Sequence, residues 1–80
     1  MQRKTNEDRI IRIVELSENH FGLGEVKFVG IKYDPQTRVW VAKLKLHSYA
    51  SIYESGDNPD IALKALKNRV KRIIKRYNVV

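Results

Sequence analysis

The sequence predicts a single small α+β domain, in which two helices pack on one face of a three-stranded antiparallel sheet. Three observations support this prediction. The length of 80 residues suffices for one hydrophobic core. The apolar spacing changes from helical to alternating after Gly24 and returns to helical after Asn58. Turn residues separate the segments and no internal repeat or linker occurs, so the predicted order over 1–80 is α-β-β-β-α.

The first predicted helix covers about 6–20. Thr5 is a suitable N-cap, and Asp8 three residues later completes the acidic form of a capping box. One side of this helix carries apolar residues at helical spacing: Ile10, Ile13, Val14 and Leu16. Two glycines then end the helix, and we expect Phe21 and Leu23 to fold back onto the core.

The first predicted strand covers about 25–33 and contains a change of phase. Apolar and polar residues alternate up to Gly30, where the alternation shifts by one position. A glycine at such a shift indicates a β-bulge. Asp34-Pro35 then favours a reversal of the chain, because proline fixes its own φ at a turn value.

The second predicted strand, about 38–47, shows the clearest alternation. One face has the apolar residues Trp40, Ala42, Leu44 and Leu46, and the other has Val39, Val41, Lys43, Lys45 and His47. A short third strand, about 49–54, follows a tight turn. The apolar face predicts contact with the helices, and the lysine-bearing face is then turned away from them.

The second predicted helix covers about 59–77. Asn58 or Asp57 caps it, Pro59 fits its first turn, and Asp60 suits the positive end of the helix dipole. At 100° per residue one arc is apolar, with Ala62, Leu63, Leu66, Val70, Ile73, Ile74 and Tyr77. This arc predicts the face that packs on the sheet.

The net charge of +7 is unevenly distributed along the chain. Residues 1–60 contain nine cations and nine anions, whereas residues 61–80 contain seven cations and no anion. The seven are Lys64, Lys67, Arg69, Lys71, Arg72, Lys75 and Arg76. This asymmetry favours an anion-binding surface over a merely solvated helix face, which usually carries both signs. We predict a nucleic-acid backbone as the anion, contacted by these residues and by Arg38, Lys43 and Lys45.

The element order, together with Arg9 and Arg12 in the first helix and Arg38 in the first hairpin loop, resembles the double-stranded-RNA-binding domain. The resemblance covers most of the chain and implies duplex RNA as partner. That family also places lysines at the start of the second helix. Here 56–61 contains none, and the cations begin at Lys64.

A second resemblance is local. The segments 40–44 and 54–63, a strand followed by Gly-Asp-Asn-Pro-Asp and a helix, are similar to the strand-turn-helix of HicB-type antitoxin domains. This resemblance implies a protein partner instead of a nucleic acid. The basic helix then faces an acidic protein surface, as it would in a small inhibitor or adaptor.

The lysine-bearing face of the sheet has two interpretations. If Tyr33, Tyr49 and Tyr53 lie beside Lys43 and Lys45, this face suits stacked single-stranded bases. If Val39 and Val41 are instead covered by a second copy, the face is a dimer contact. We therefore expect a monomer or a weak homodimer.

Catalytic and metal chemistry lack the residues they need. The chain has no cysteine, and His20 and His47 have no carboxylate at ligand spacing. No nucleophile or phosphate-cradle motif occurs, and the carboxylates fit caps, turns and helix surfaces. We predict no enzyme activity, metal or cofactor. A membrane role is disfavoured because the apolar arc of the second helix is needed for the core, and we expect a cytoplasmic protein.

Overall fold

The computed structural model describes residues 5–22, 24–46 and 51–78, with side chains up to Arg76. The elements are α1 (Asn6–Phe21), β1 (Val26–Asp34), β2 (Val39–Leu46), β3 (Ile52–Gly56) and α2 (Pro59–Asn78). The predicted α+β class and α-β-β-β-α order are confirmed. β3 ends two residues later than predicted. The expectations for Leu23, His47 and Tyr49, and for the side chain of Tyr77, lie outside the described residues.

α1 begins at the predicted capping box. The Thr5 hydroxyl accepts a hydrogen bond from the Asp8 backbone N–H at 3.1 Å, and the Asp8 carboxylate accepts one from the Thr5 N–H at 3.2 Å. These bonds satisfy two backbone donors that a helix start leaves without intrahelical partners. At the other end, the N–H of Gly22 donates to the Glu18 carbonyl at 2.8 Å and ends the helix.

The sheet is an antiparallel meander with β2 in the middle and β3 at one edge. The predicted bulge is confirmed, since Phe28 pairs with Leu44 while Gly30 pairs with Lys43, which leaves Val29 as the extra residue. A bulge shifts the alternation of side chains by one position. Lys27 and Lys32, an odd number of residues apart, therefore lie on the same face of the sheet.

The loop between β1 and β2 is held by Asp34. Its carboxylate accepts a hydrogen bond from the Gln36 N–H at 3.0 Å, and its carbonyl accepts one from the Arg38 N–H at 2.7 Å. The bond from the Gln36 backbone, with a further one from the Thr37 side chain, lowers the pKa of Asp34. The carboxylate thus stabilises the loop while ionised, and this stabilisation is lost as the pH falls through the lowered pKa.

The core lies between the inner face of the sheet and the two helices. Its buried apolar residues are Ile13, Ala42, Leu44, Leu46, Ile52, Ala62, Leu63, Leu66 and Val70. Phe21 packs against this cluster as predicted, and so do Trp40, Ile73 and Ile74. One buried polar residue, Ser17, was not predicted. Its hydroxyl donates to the Ile13 carbonyl one turn earlier at 2.8 Å, so its burial leaves no unsatisfied group.

α2 starts close against the end of β3. The Asn58 side chain accepts from the Ile61 N–H at 2.9 Å, which confirms the asparagine as the cap. A Cβ added to Gly56 would lie 2.6 Å from the Ala62 backbone nitrogen, so the approach requires glycine. An ion pair of 2.8 Å between Arg9 and Asp60 joins the first turns of the two helices, which therefore start at the same end of the protein.

Candidate nucleic-acid interface

The side of α2 that faces away from the sheet is basic. Its exposed cations, which we call the α2 outer face, are Lys64, Lys71, Arg72, Lys75 and Arg76. At 1.5 Å per residue they extend over about 18 Å of helix. The single acid of α2, Asp60, lies in the first turn and is paired with Arg9 of α1. No acid of α2 therefore lies among these five cations.

Two predicted site residues occupy the flanks of α2 instead. Lys67 is half-buried. Arg69 forms an ion pair with Glu54 at 2.8 Å, and the same guanidinium nitrogen donates to the Tyr53 carbonyl at 3.4 Å. Because β3 is an edge strand, this contact satisfies a backbone acceptor at the edge of the sheet. Arg69 thus attaches α2 to β3, on the flank of α2 that borders the α2 outer face.

The predicted site residues Lys43 and Lys45 lie on the opposite side of the protein, on the sheet face turned away from the helices, which we call the outer sheet face. Lys45 is paired directly across from Lys27, and Lys32 lies on the same face opposite Val41. All four lysines are exposed. Lys27 and Lys32 were not among the predicted site residues. The signal was the phase shift at Gly30, which, combined with the hairpin register, brings them to this face.

The tyrosines are divided between the two faces. Tyr53 pairs with Lys43, so it lies on the outer sheet face with 61% of its surface exposed. Tyr33 pairs with Trp40, and their rings are 5.5 Å apart on the helix side of the sheet. Tyr33 therefore does not lie beside the outer lysines, as the base-stacking interpretation of this face required. Within the described residues, Tyr53 is the one aromatic side chain available for base stacking on this face.

An open depression of about 650 Å³ lies at the β3 side of the outer sheet face. Its lining includes Val39, Val41, Tyr53 and the Glu54–Arg69 pair. Glu54 and Arg69 neutralise each other, the Asp34 carboxylate that also lines the depression accepts from the Gln36 N–H, and Val39 and Val41 are half-buried. The depression therefore lacks the convergent, unpaired polar groups that a small-molecule site uses.

Arg38, the remaining predicted site residue, is exposed in the loop between β1 and β2. Its φ of 59° is in the left-handed region, which is uncommon for a residue other than glycine. The structure thus brings together five of the ten predicted site residues on the α2 outer face. It separates them from Lys43 and Lys45 by the full thickness of the sheet.

The neutral charge of residues 1–60 conceals a separation of charge. α1 carries four acids, Glu7, Asp8, Glu15 and Glu18, and two arginines. The outer sheet face carries four lysines, with Asp34 at the hairpin end and Glu25 near Lys27 and Lys45. The segment therefore consists of an acidic helix and a basic sheet face, and the positive charge of the protein is not confined to α2.

Comparison of the chain with protein-family models, curated proteins and solved structures finds no match. Among residues 5–22, 24–46 and 51–78, no group of three or more His, Cys, Asp or Glu side chains is placed to hold a metal ion. In that same part of the chain, neither helix is long and apolar enough to cross a bilayer. The geometry and charge of the two basic surfaces therefore carry the functional argument.

Proposed function

We propose that the protein is a non-catalytic module that binds the phosphate backbone of a nucleic acid through the α2 outer face. The observation that carries this proposal is the presence of five exposed cations within about 18 Å of one helix, with no acid among them. A surface of one sign on a rigid element is suited to a polyanion, whose charges are also closely and regularly spaced.

The like charges on adjacent turns of α2 support the proposal. Lys71 and Lys75 are four residues apart, as are Arg72 and Arg76, so each pair brings like charges to adjacent turns. Such pairs cost a helix about 0.2–0.5 kcal/mol each. Glutamates at these positions would turn repulsion into attraction, and the sequence has none after Asp60. A phosphate backbone would remove the repulsion by placing anions between the cations.

The expected mode of binding is independent of base sequence. Lysine presents a compact charge that any phosphate satisfies, whereas base recognition needs donors directed at base edges. Five cations neutralise about four or five phosphates, which gives a slope of about −3 to −5 for log K against log salt concentration on a duplex. Affinity should therefore decrease steeply as salt increases.

The fold favours duplex RNA among the nucleic acids. Two helices on one face of a three-stranded antiparallel sheet is the arrangement that the resemblance to double-stranded-RNA-binding domains implies. This preference rests on fold analogy, whereas backbone binding rests on the charges. The cations run from Lys64 towards the end of α2, so we propose contact along the helix instead of at its first turn.

Fluorescence anisotropy with duplex RNA, duplex DNA and single strands at 50 and 200 mM salt tests the proposal. The variant Lys64→Gln/Lys71→Gln/Lys75→Gln should bind at least about tenfold more weakly at 50 mM salt and lower the slope by about 2.7. The matched control, Arg12→Gln/Asn19→Asp/Gln36→Glu, changes the net charge by the same amount at exposed positions outside α2 and away from the sheet lysines. It should retain most of the affinity.

Equal loss of affinity in the two variants would contradict the proposal, because binding would then follow net charge and not the α2 outer face. Absence of binding to all three nucleic acids at 50 mM salt would also contradict it. That second result would favour an acidic protein as the partner of α2, which a pull-down with the same two variants would reveal.

A further inference from the structure

The outer sheet face has the properties of a second polyanion-binding surface. Two of its four exposed lysines lie on β1 and two on β2, at Lys27, Lys32, Lys43 and Lys45. Two acids border this face: Asp34 at the hairpin end, whose carboxylate accepts from the Gln36 N–H, and Glu25, which lines a small depression together with Lys27 and Lys45. In the described part of the chain, none of the four lysines forms an ion pair. The patch therefore keeps a net positive charge.

The pairing register places like charges close together in this patch, which lowers the stability of the fold. Lys27 and Lys45 are directly opposite each other, and like charges in that position destabilise a sheet. The Val29 bulge adds Lys32 to the face that Lys27 already occupies. Each arrangement concentrates positive charge where an alternation of signs would stabilise the strand pair. An anion bound across β1 and β2 would offset this repulsion.

A second copy of the chain does not suit this face. Two outer sheet faces in contact would bring eight lysines together around the half-buried Val39 and Val41. Desolvating that many unpaired charges would exceed the gain from burying four valines. The phosphate backbone of a nucleic acid satisfies the same charges without that penalty, so charge complementarity selects it as the occupant.

The two basic surfaces are on opposite sides of the protein. The helices cover the inner face of the sheet, and the cations of α2 lie on the far side of that helix. The smallest dimension of the protein is 23 Å, more than twice the Debye length of about 8 Å at physiological salt. One stretch of backbone cannot contact both surfaces at once, and charges bound on one side are screened from the other.

We propose that the outer sheet face binds a second nucleic-acid segment, so that one protein molecule bridges two backbones. This inference rests on the proposed function, because the α2 outer face must hold the first segment. The sheet lysines then hold the second segment independently of base sequence, as expected for phosphate contacts. At limiting protein the complex contains one protein and two duplexes.

A two-duplex capture assay tests the bridging. A biotinylated 30-base-pair RNA duplex on beads is mixed with a fluorescent duplex of the same sequence and limiting protein at 50 mM salt, and the fluorescence recovered on the beads is measured. The wild type should recover fluorescent duplex above a no-protein control. The variant Lys27→Gln/Lys32→Gln/Lys43→Gln/Lys45→Gln should lose at least about 80% of this recovery. Its affinity for a single duplex, measured by anisotropy, should stay within about fivefold of the wild type.

The α2 variant used above is the reciprocal control and should bind a single duplex at least about tenfold more weakly and lose capture. Capture by the sheet variant at the wild-type level would overturn the inference, since bridging would then arise from protein self-association. Wild-type binding of a single duplex without any capture would overturn it while leaving the proposed function intact. Absence of all binding overturns both. If circular dichroism shows that the fourfold variant is unfolded, Lys27→Gln/Lys45→Gln gives the same readout with two changes.

Discussion

The two basic surfaces are built in different ways. The α2 outer face lies along one helix, so its cations are brought together by a local conformation alone. The outer sheet face combines two strands, and its lysines meet only because the hairpin register and the Val29 bulge align them. A charged helix face thus forms whenever the helix does, whereas a charged sheet face requires correct strand pairing. Perturbations of strand register should therefore affect the outer sheet face more than the α2 outer face.

The largest expected effect is a loss of stability from a substitution on the buried side of α2, compared with one on its exposed side. Leu66 is fully buried between the helix and the sheet, and Leu66→Ala should lower the free energy of unfolding by about 2–5 kcal/mol, because it removes buried methyl groups and leaves a cavity. Urea denaturation followed by circular dichroism measures this loss. Both surfaces depend on this packing, so binding by the α2 outer face and capture should fail together where the variant unfolds.

Lys71→Ala is the matched control for this change, since it truncates an exposed residue of the same helix. Its stability should remain within about 0.5 kcal/mol of the wild type, because no tertiary contact is lost and alanine is a good helix former. A similar loss in both variants would mean that the basic side of α2 also supports the fold.

The local origin of the α2 outer face and the non-local origin of the outer sheet face decide how far each can be predicted from the sequence. The cap at Asn58 and the apolar spacing through Leu66 and Val70 are local signals, and the structure confirms them. The lysines of β1 could not be assigned to a face until the bulge and the pairing with β2 were both known. The same shift places Tyr33 on the helix side, which the sequence had left open.

Two other features could not be predicted from the sequence, for chemical reasons. A serine gives no apolar signal, and Ser17 is buried only because the carbonyl one turn earlier satisfies its hydroxyl. In the sequence, Arg69 cannot be distinguished from the other cations of α2. Its pairing with Glu54 depends on how the helix is rotated on the sheet. Such contacts depend on tertiary geometry, which composition and periodicity do not contain.

A smaller effect is expected at the junction that sets the position of α2. Gly56→Ala places a Cβ 2.6 Å from both the Ile61 Cγ2 and the Ala62 backbone nitrogen, and the backbone cannot yield as a flexible side chain can. We expect a loss of about 1–3 kcal/mol, the usual range for overpacking. Ser55→Ala, at the exposed neighbouring position, should stay within about 0.5 kcal/mol.

Thermal denaturation of this pair shows whether the junction is as tight as the geometry indicates. If Gly56→Ala is as stable as Ser55→Ala, the start of α2 can move away from β3. The pairing of Lys27 with Lys45 is remote from this junction, so the outer sheet face should change little in variants that remain folded.

The next comparison distinguishes a structural cation of α2 from a binding cation. Arg69→Gln removes the partner of Glu54, in a pair whose side chains are 43% and 27% exposed. It should cost about 0.5–1 kcal/mol of stability, as partly exposed ion pairs do, and change affinity for duplex RNA less than twofold. Arg72→Gln, on the α2 outer face, should leave stability unchanged and weaken binding severalfold.

Urea denaturation and anisotropy on the two variants provide both readouts. The charge removed is the same, so any difference reflects the position of the side chain. Weaker binding by Arg69→Gln than by Arg72→Gln would extend the interface onto the β3 flank and would place Arg69 among the phosphate contacts.

The smallest expected effect is a gain in stability on the outer sheet face. Lys27→Glu converts the like-charge pair with Lys45 into an opposite-charge pair, which should add a few tenths of a kcal/mol, within the range of about 0.2–1 kcal/mol known for cross-strand pairs. Lys32→Glu makes the same change opposite Val41, where no charge faces it, and should add less. Urea denaturation at low salt resolves the difference, which should shrink at 0.5 M salt because exposed charges are screened. If Lys27→Glu gains stability and also captures less of the second duplex, the repulsion between Lys27 and Lys45 is a cost of the fold that serves binding.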